Sequence, residues 1–273
     1  MSFQPIVPFG GFVGWQFLQR SMETQREAFD ASPVRQREVD YFRENIGAVS
    51  SPEDLVDDRR LRAVALGAFG LDDDIDSKAF IRKVLEEGIA DRQSLANRLS
   101  DSRYRAFSEA FGFGNGLPPN TLRPGFGEEI AEAYLARQFE AGVGQSDPAL
   151  RLALGLEREL PEIAARAATN DTKWLTVMGN RPLREVFETA LGLPDSFGAL
   201  DIDRQLSELK DRAERFLGVS DFSDFSESET QDELLRLYLV RAQLEGSAAG
   251  GSVSSPALTL LRNASAPGLL SLL

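Results

Sequence analysis

The 273-residue chain contains no cysteine and no histidine. Without cysteine there is no disulfide framework, no thiolate nucleophile and no sulfur-ligated metal. Without histidine the commonest general base and transition-metal ligand is missing, along with the one side chain that ordinarily titrates near neutral pH. Ser-His-Asp and Cys-His catalysis are excluded outright. Positive charge is short as well: 30 lysines and arginines stand against 43 aspartates and glutamates, a formal net charge of -13. With no local basic stripe to offset it, that balance repels a phosphate backbone, and nucleic acid is not an expected partner. Long hydrophobic runs are also lacking. The N-terminal stretch MSFQPIVPFGGFVGWQFLQR has no basic leader, and Pro5, Pro8, Gly10, Gly11 and Gly14 interrupt its apolar part. It reads as neither a secretory signal nor a membrane span, so we expect synthesis in the cytoplasm, no membrane insertion and, if the protein is exported, a route that needs no cleaved signal.

What is present is helical periodicity. A hydrophobic fraction of 42% and a charged fraction of 27% are ordinary for a globular chain. Trp15, Leu18, Met22 and Phe29 fall on one helix face, which stops before DASPVR, where Ser32 is placed to cap and Pro33 to open the next helix. Val39, Phe42, Ile46 and Val49 form the following stripe. In SSPEDLV, Ser51 is a cap, Pro52 takes the first helical position, and Glu53 and Asp54 sit where the helix dipole favours negative charge. Pro161 is expected to bend or split a long helix beginning at Asp147 and Pro148.

One helix ending is written repeatedly. RAVALGAFGL from Arg62 returns as REVFETALGL from Arg184 and more faintly as RAFSEAFGFG from Arg105. In each, a glycine at the left-handed position (Gly70, Gly112, Gly192) is followed by a hydrophobic residue placed to fold back on the helix: Leu71 over Leu66, Phe113 over Phe107, Leu193 over Phe187. The first and third copies align without a gap through Arg59/Arg181, Leu61/Leu183, Val64/Val186 and Ala68/Ala190, and DIDSKAF from Asp74 echoes DIDRQLS from Asp201. We read two diverged copies of a helical module sharing a core. The expected architecture is all-α, with about nine to eleven helices in one elongated body. Its expected divisions are an aromatic N-terminal arm and first helix (1–32), module 1 (33–125), module 2 (126–245) and a C-terminal tail (246–273) that is flexible by composition.

No constellation carries chemistry. A calcium loop starting at Asp72 would need glycine and glutamate where Ser77 and Lys83 stand. The pairs Glu128/Glu129 and Glu86/Glu87 are adjacent on helices, so their carboxylates diverge onto the surface. The loops GGFVG and GFGNG match no nucleotide-binding pattern. We therefore assign no catalytic, cofactor-binding or metal-binding residue. The aromatic arm admits two readings: it packs on its own domain, or Phe9, Phe12, Trp15 and Phe17 anchor a protein partner.

The segments YFRENIGAVSSPEDLVDDRRLRAVALGAFGL, FIRKVLEEG, SLANRLSDSRYRAFSEAFGFG, YLARQFEAGVG and WLTVMGNRPLREVFETALGLP resemble an uncharacterised alphaproteobacterial family, a domain of unknown function, over about Phe17 to Leu244. VALGAFGL and NRLSDSRY are its more specific parts. The resemblance implies an all-helical protein often encoded among flagellar genes and sometimes labelled a flagellar or basal-body rod-like protein; it carries no catalytic residue. On that basis the expected function is a non-enzymatic flagellar assembly or structural accessory that contacts other flagellar components, with the basal body, reached by signal-less export, as its expected place outside the cytoplasm. A cytoplasmic export chaperone or regulator is one alternative, and a carboxylate-based hydrolase acting on cell wall is another.

Overall fold

The computed structural model describes residues 3–249, and the expected tail beyond them lies outside the described residues. Those residues are all-α and contain no strand. Thirteen helices follow in order: α1 (Gly11–Asp30), α2 (Pro33–Asn45), α3 (Pro52–Asp57), α4 (Arg59–Gly67), α5 (Lys78–Glu87), α6 (Leu95–Arg98), α7 (Ser102–Phe111), α8 (Phe126–Gly144), α9 (Pro148–Ala165), α10 (Asn170–Gly179), α11 (Arg181–Leu191), α12 (Ile202–Leu217) and α13 (Ser228–Ala249). Eleven of them have seven residues or more. The helix α13 continues to Ala249 through residues whose composition suggested a linker.

Local chemistry explains most boundaries. Ser51 and Asp54 form a reciprocal capping box at α3, the serine hydroxyl taking the Asp54 N–H at 3.2 Å and the carboxylate taking the Ser51 N–H at 3.0 Å. Ser32 does precede Pro33 at the start of α2, but its hydroxyl makes no capping bond. Pro161 neither splits nor ends α9, which runs on to Ala165. Near the helix end the missing proline N–H costs little regular structure, and the neighbours Leu160 and Ile163 are buried in the second core.

Two hydrophobic cores result. The first gathers α2 to α7 and the first half of α8, with Phe69, Phe107, Phe111 and Phe126 in edge-to-face and tilted contact. The second gathers α9 to α13, the second half of α8 and, from the other end of the chain, α1. At its centre Trp174 meets Phe187, Phe222 and Phe225 at centroid distances of 5.7, 4.9 and 5.9 Å. The change from one core to the other falls within α8, between Leu135 and Phe139, and not ahead of that helix at 125/126. An uninterrupted helix crosses the junction because its hydrophobic face serves both cores in turn. The first helix, set apart in sequence with the arm, is a full member of the second core through Trp15, Leu18 and Phe29.

The repeated signal has a repeated structure. Asp58 and Asn180 occupy equivalent caps, accepting from Leu61 N–H at 3.1 Å and Leu183 N–H at 3.3 Å. At the other end Gly70 and Gly192 have φ of 67° and 62°. The Leu71 N–H reaches the Leu66 carbonyl at 3.0 Å and the Leu193 N–H reaches that of Glu188 at 2.8 Å, while each glycine N–H bonds three residues back. Both are complete Schellman endings. Gly112 is left-handed too, but it makes only the single bond to Ser108 at 3.0 Å, the simpler ending, because Phe113 at once enters a 3-10 turn. A further left-handed cap, Gly218 before the buried Val219, closes α12.

Candidate interaction groove between the first and last helices

The aromatic arm is tied down before it reaches the surface. Gln25 of α1, itself buried, accepts from the Ile6 N–H at 2.7 Å and donates to the Ile6 carbonyl at 3.2 Å, so one side chain satisfies the arm's backbone. Pro5 is buried, and Gly142 of α8 lies so close beneath it that an added methyl would press on the ring. The Asp147 carboxylate then serves two helices. One oxygen caps α9 through Ala149 and Leu150, and the other accepts the Gly11 N–H of α1 at 3.1 Å. The glycines of GGFVG permit these approaches: side chains at Gly10, Gly11 and Gly14 would meet Asp147, Gln243 and the Phe9 carbonyl.

Anchored in this way, the arm divides the four candidate contact residues. Trp15 is buried, and Phe12 packs half-buried on the second core. Phe9 and Phe17 face outward with 57% and 37% of their surface exposed, in company with Ile6 at 60% and Val13 at 61%. The two readings of the arm therefore apply to different residues of it.

Beside this stripe runs a groove of about 570 Å³ between α1 and α13. Gly11 lies against Gln243 at one end, and Arg20 and Glu229 line the other, so the helices are antiparallel. Phe12, Trp15 and Leu235 supply apolar lining, and Glu229, Asp232, Glu233 and Arg236 supply charge from α13. The sequence missed this groove because its walls are more than two hundred residues apart. Gly70, Gly112 and Gly192 stand elsewhere, as helix endings.

A second concentration of charge is structural. Between the cores, Arg158 grips Glu140 through two bonds of 2.7 and 3.0 Å, and Arg137 donates to Glu159 at 2.9 Å and to the Ala68 carbonyl at 2.8 Å. Asn180, the cap of α11, donates to the other Glu159 oxygen at 2.5 Å. Burial alone would raise the Glu159 carboxyl, but Arg137, Arg158 and these hydrogen bonds hold it below the ordinary carboxylate range. A carboxylate so paired is poorly suited to proton transfer. The Asp30 carboxyl is shifted the other way, up, by burial only partly opposed by Arg26. It lines a cavity of about 150 Å³ with Glu132 and Phe139. Among the described residues no group of three or more carboxylates is placed to hold a metal ion, and no helix is long and apolar enough to cross a membrane. The other glycine-rich loop is explained by packing: Gly114 meets the backbone of Gly88, where neither position has room for a side chain.

The signature of a family described as "Protein of unknown function (DUF1217)" matches residues 68–230. The chain belongs to this family. The matched DUF1217 segment begins at the end of α4 and finishes at the start of α13, so it includes both Schellman endings and the charged seam, whereas α1 precedes it. The chain is also similar to a protein of Agrobacterium tumefaciens whose crystal structure comes from structural genomics, with 27% identity and a TM-score of 0.71 over 89% of this chain and 99% of that one. No curated protein matches the sequence.

Proposed function

We propose that this DUF1217 protein is a non-enzymatic accessory of flagellar assembly or structure that works by contact with other proteins. The observation that carries the contact reading is the outward stripe of Ile6, Phe9, Val13 and Phe17 on an arm held rigidly by Gln25 and Asp147. Large apolar side chains held in water by an ordered backbone suit an interface, because little further ordering opposes binding. The flagellar setting rests on the resemblance of the segments quoted above to a family often encoded among flagellar genes. Action as a cytoplasmic export chaperone or regulator uses the same surface and differs in where the protein resides.

The hydrolase reading draws less support. Its acid would be a carboxyl raised by burial inside a cleft large enough for a sugar chain. Glu159 is shifted down, and Asp30 is raised in a cavity of only about 150 Å³, below the roughly 300 Å³ at which ligand pockets begin. Immunoblotting purified hook-basal bodies beside the cytosol of the same cells tests the proposal. Enrichment in the basal bodies is expected for a structural accessory; confinement to cytosol selects the chaperone or regulator, and turnover of purified cell wall by the protein overturns both.

A further inference from the structure

We infer that the groove between α1 and α13 receives a basic amphipathic helix from a protein partner. This deepens the contact reading by naming the chemistry of what is contacted. Glu229 precedes Asp232 by three residues and Glu233 by four, so it neighbours each of them on the surface of α13, and all three line the groove and are exposed. Ion pairs are frequent elsewhere on the surface: Arg35 with Glu38, Arg43 with Glu128, Arg184 with Glu188, Arg212 with Glu208. Among the described residues none of the three acids pairs with a base, although Arg20 and Arg236 line the same groove. Like charges three or four residues apart on a helix repel by a few tenths of a kcal/mol per pair, a cost that the start of α13 offsets in part and that cations brought by a partner would relieve further.

The apolar half of the match lies between those acids and α1. Trp15 and Leu235 are buried in the floor, and Phe12 is half-exposed above them. Two antiparallel helices with an apolar trough between them form a seat for a third helix, whose side chains at every third and fourth position would enter the trough. Lysines or arginines flanking that stripe would then face Glu229, Asp232 and Glu233. The occupant is thus apolar on one side and positive on the other.

The test uses the full chain and two labelled synthetic peptides about eighteen residues long, five turns of helix, which share one leucine stripe and differ only in carrying lysine or glutamate elsewhere. Fluorescence anisotropy should show binding of the lysine peptide and not of the glutamate peptide. Combining Glu229→Gln, Asp232→Asn and Glu233→Gln should weaken it about tenfold, the sum of three modest charge contacts. Combining Asp203→Asn, Asp211→Asn and Glu214→Gln on exposed α12 changes net charge equally and should alter binding by less than about twofold. Gln16→Lys on the opposite wall supplies a second, independent variant that should also weaken the lysine peptide. Circular dichroism confirms folding of each. Equal binding of the two peptides, equal loss from both triple variants, or no binding at all overturns the inference. None of these results decides the accessory reading, which the basal-body fractionation tests separately.

Discussion

Helices α4 and α11 end in the same glycine and leucine with the same hydrogen bonds, yet their terminal carbonyls are met by arginines from different places. At the end of α4, Arg137 of α8 donates to the Ala68 carbonyl and Arg103 of α7 to that of Gly70. At the end of α11 a single arginine, Arg212 of the next long helix, takes the Leu191 and Gly192 carbonyls at 3.1 and 2.6 Å. Cations at a helix C-terminus are favourable in both settings. The first ending, however, is joined through Arg137 and Glu159 to Asn180 and so to the start of α11, whereas the second closes within its own core. The arginines eight residues before each glycine, within the same helices, diverge in parallel. Arg62 is buried and donates to the Ile75 carbonyl at 2.8 Å; its counterpart Arg184 lies 5.5 Å from the centre of the Phe197 ring, at the matching separation of thirteen residues. A short sequence signal prescribes a backbone shape, and the partners of that shape are chosen by distant parts of the chain.

The comparison is broken most severely at Glu159. Glu159→Ala leaves Arg137 and Arg158 buried beside a missing charge and should cost about 3–5 kcal/mol, read from urea denaturation; Glu188→Ala, which removes a half-exposed partner of Arg184, should cost about 1 kcal/mol or less. Similar losses at the two sites would show that the seam is no more than a surface pair. The same carboxylate sets a pH dependence. Its folded pKa is depressed, so its stabilisation is complete above the unfolded value near 4.3 and is lost as pH falls through the folded value. Wild type should therefore lose more stability on acidification below about pH 5 than Glu159→Gln does.

Deleting residues 2–14 should come next, at about 3 kcal/mol, because Pro5, Phe12 and the Gly11–Asp147 bond are lost from the second core. An unchanged melting temperature would make the arm an appendage. Replacing Gly70 or Gly192 by valine should cost about 1–2 kcal/mol through left-handed strain. The loss should be larger at Gly192, where a side chain would also displace Arg241, than at Gly70, where only the tips of Arg103 and Arg137 stand in ordinary contact. A neutral result at both would end the capping argument. The smallest effect belongs to the outward stripe: Phe9→Ser with Val13→Ser should stay within about 0.5 kcal/mol each.

What was legible in the sequence is what depends on neighbours in the chain. Ser51, Pro52 and Asp54 announce α3, and Gly70 with Leu71 announces its kind of ending, because donors, acceptors and φ are supplied within six residues. Trp15, Leu18 and Phe29 reveal the buried face of α1 by spacing alone. The same rule would have found Gly218 before Val219. The sharing of α8 by two cores, the double use of Asp147 and the groove beside α13 depend on residues brought together from far apart, and no local spacing encodes them. Pro161, expected to bend or split its helix, does not split it, because a residue that disfavours helix locally is outweighed by buried neighbours on both sides.

The membership of α1 in the second core has a consequence for synthesis. This helix is made before the other described helices, but Leu234, Leu235 and Leu239 of the same core are made more than two hundred residues afterwards. The first core, drawn from residues 39–135, is complete long before then. At some 5–20 residues per second, the core that holds Trp15, Leu18 and Phe29 is completed roughly ten seconds or more after they are made. Phe139 of α8, 5.7 Å from the Phe29 ring, and Asp147 can receive the helix earlier, but its apolar face is closed over only when α13 arrives, and a factor that recognises that face would meet the protein before its fold is complete.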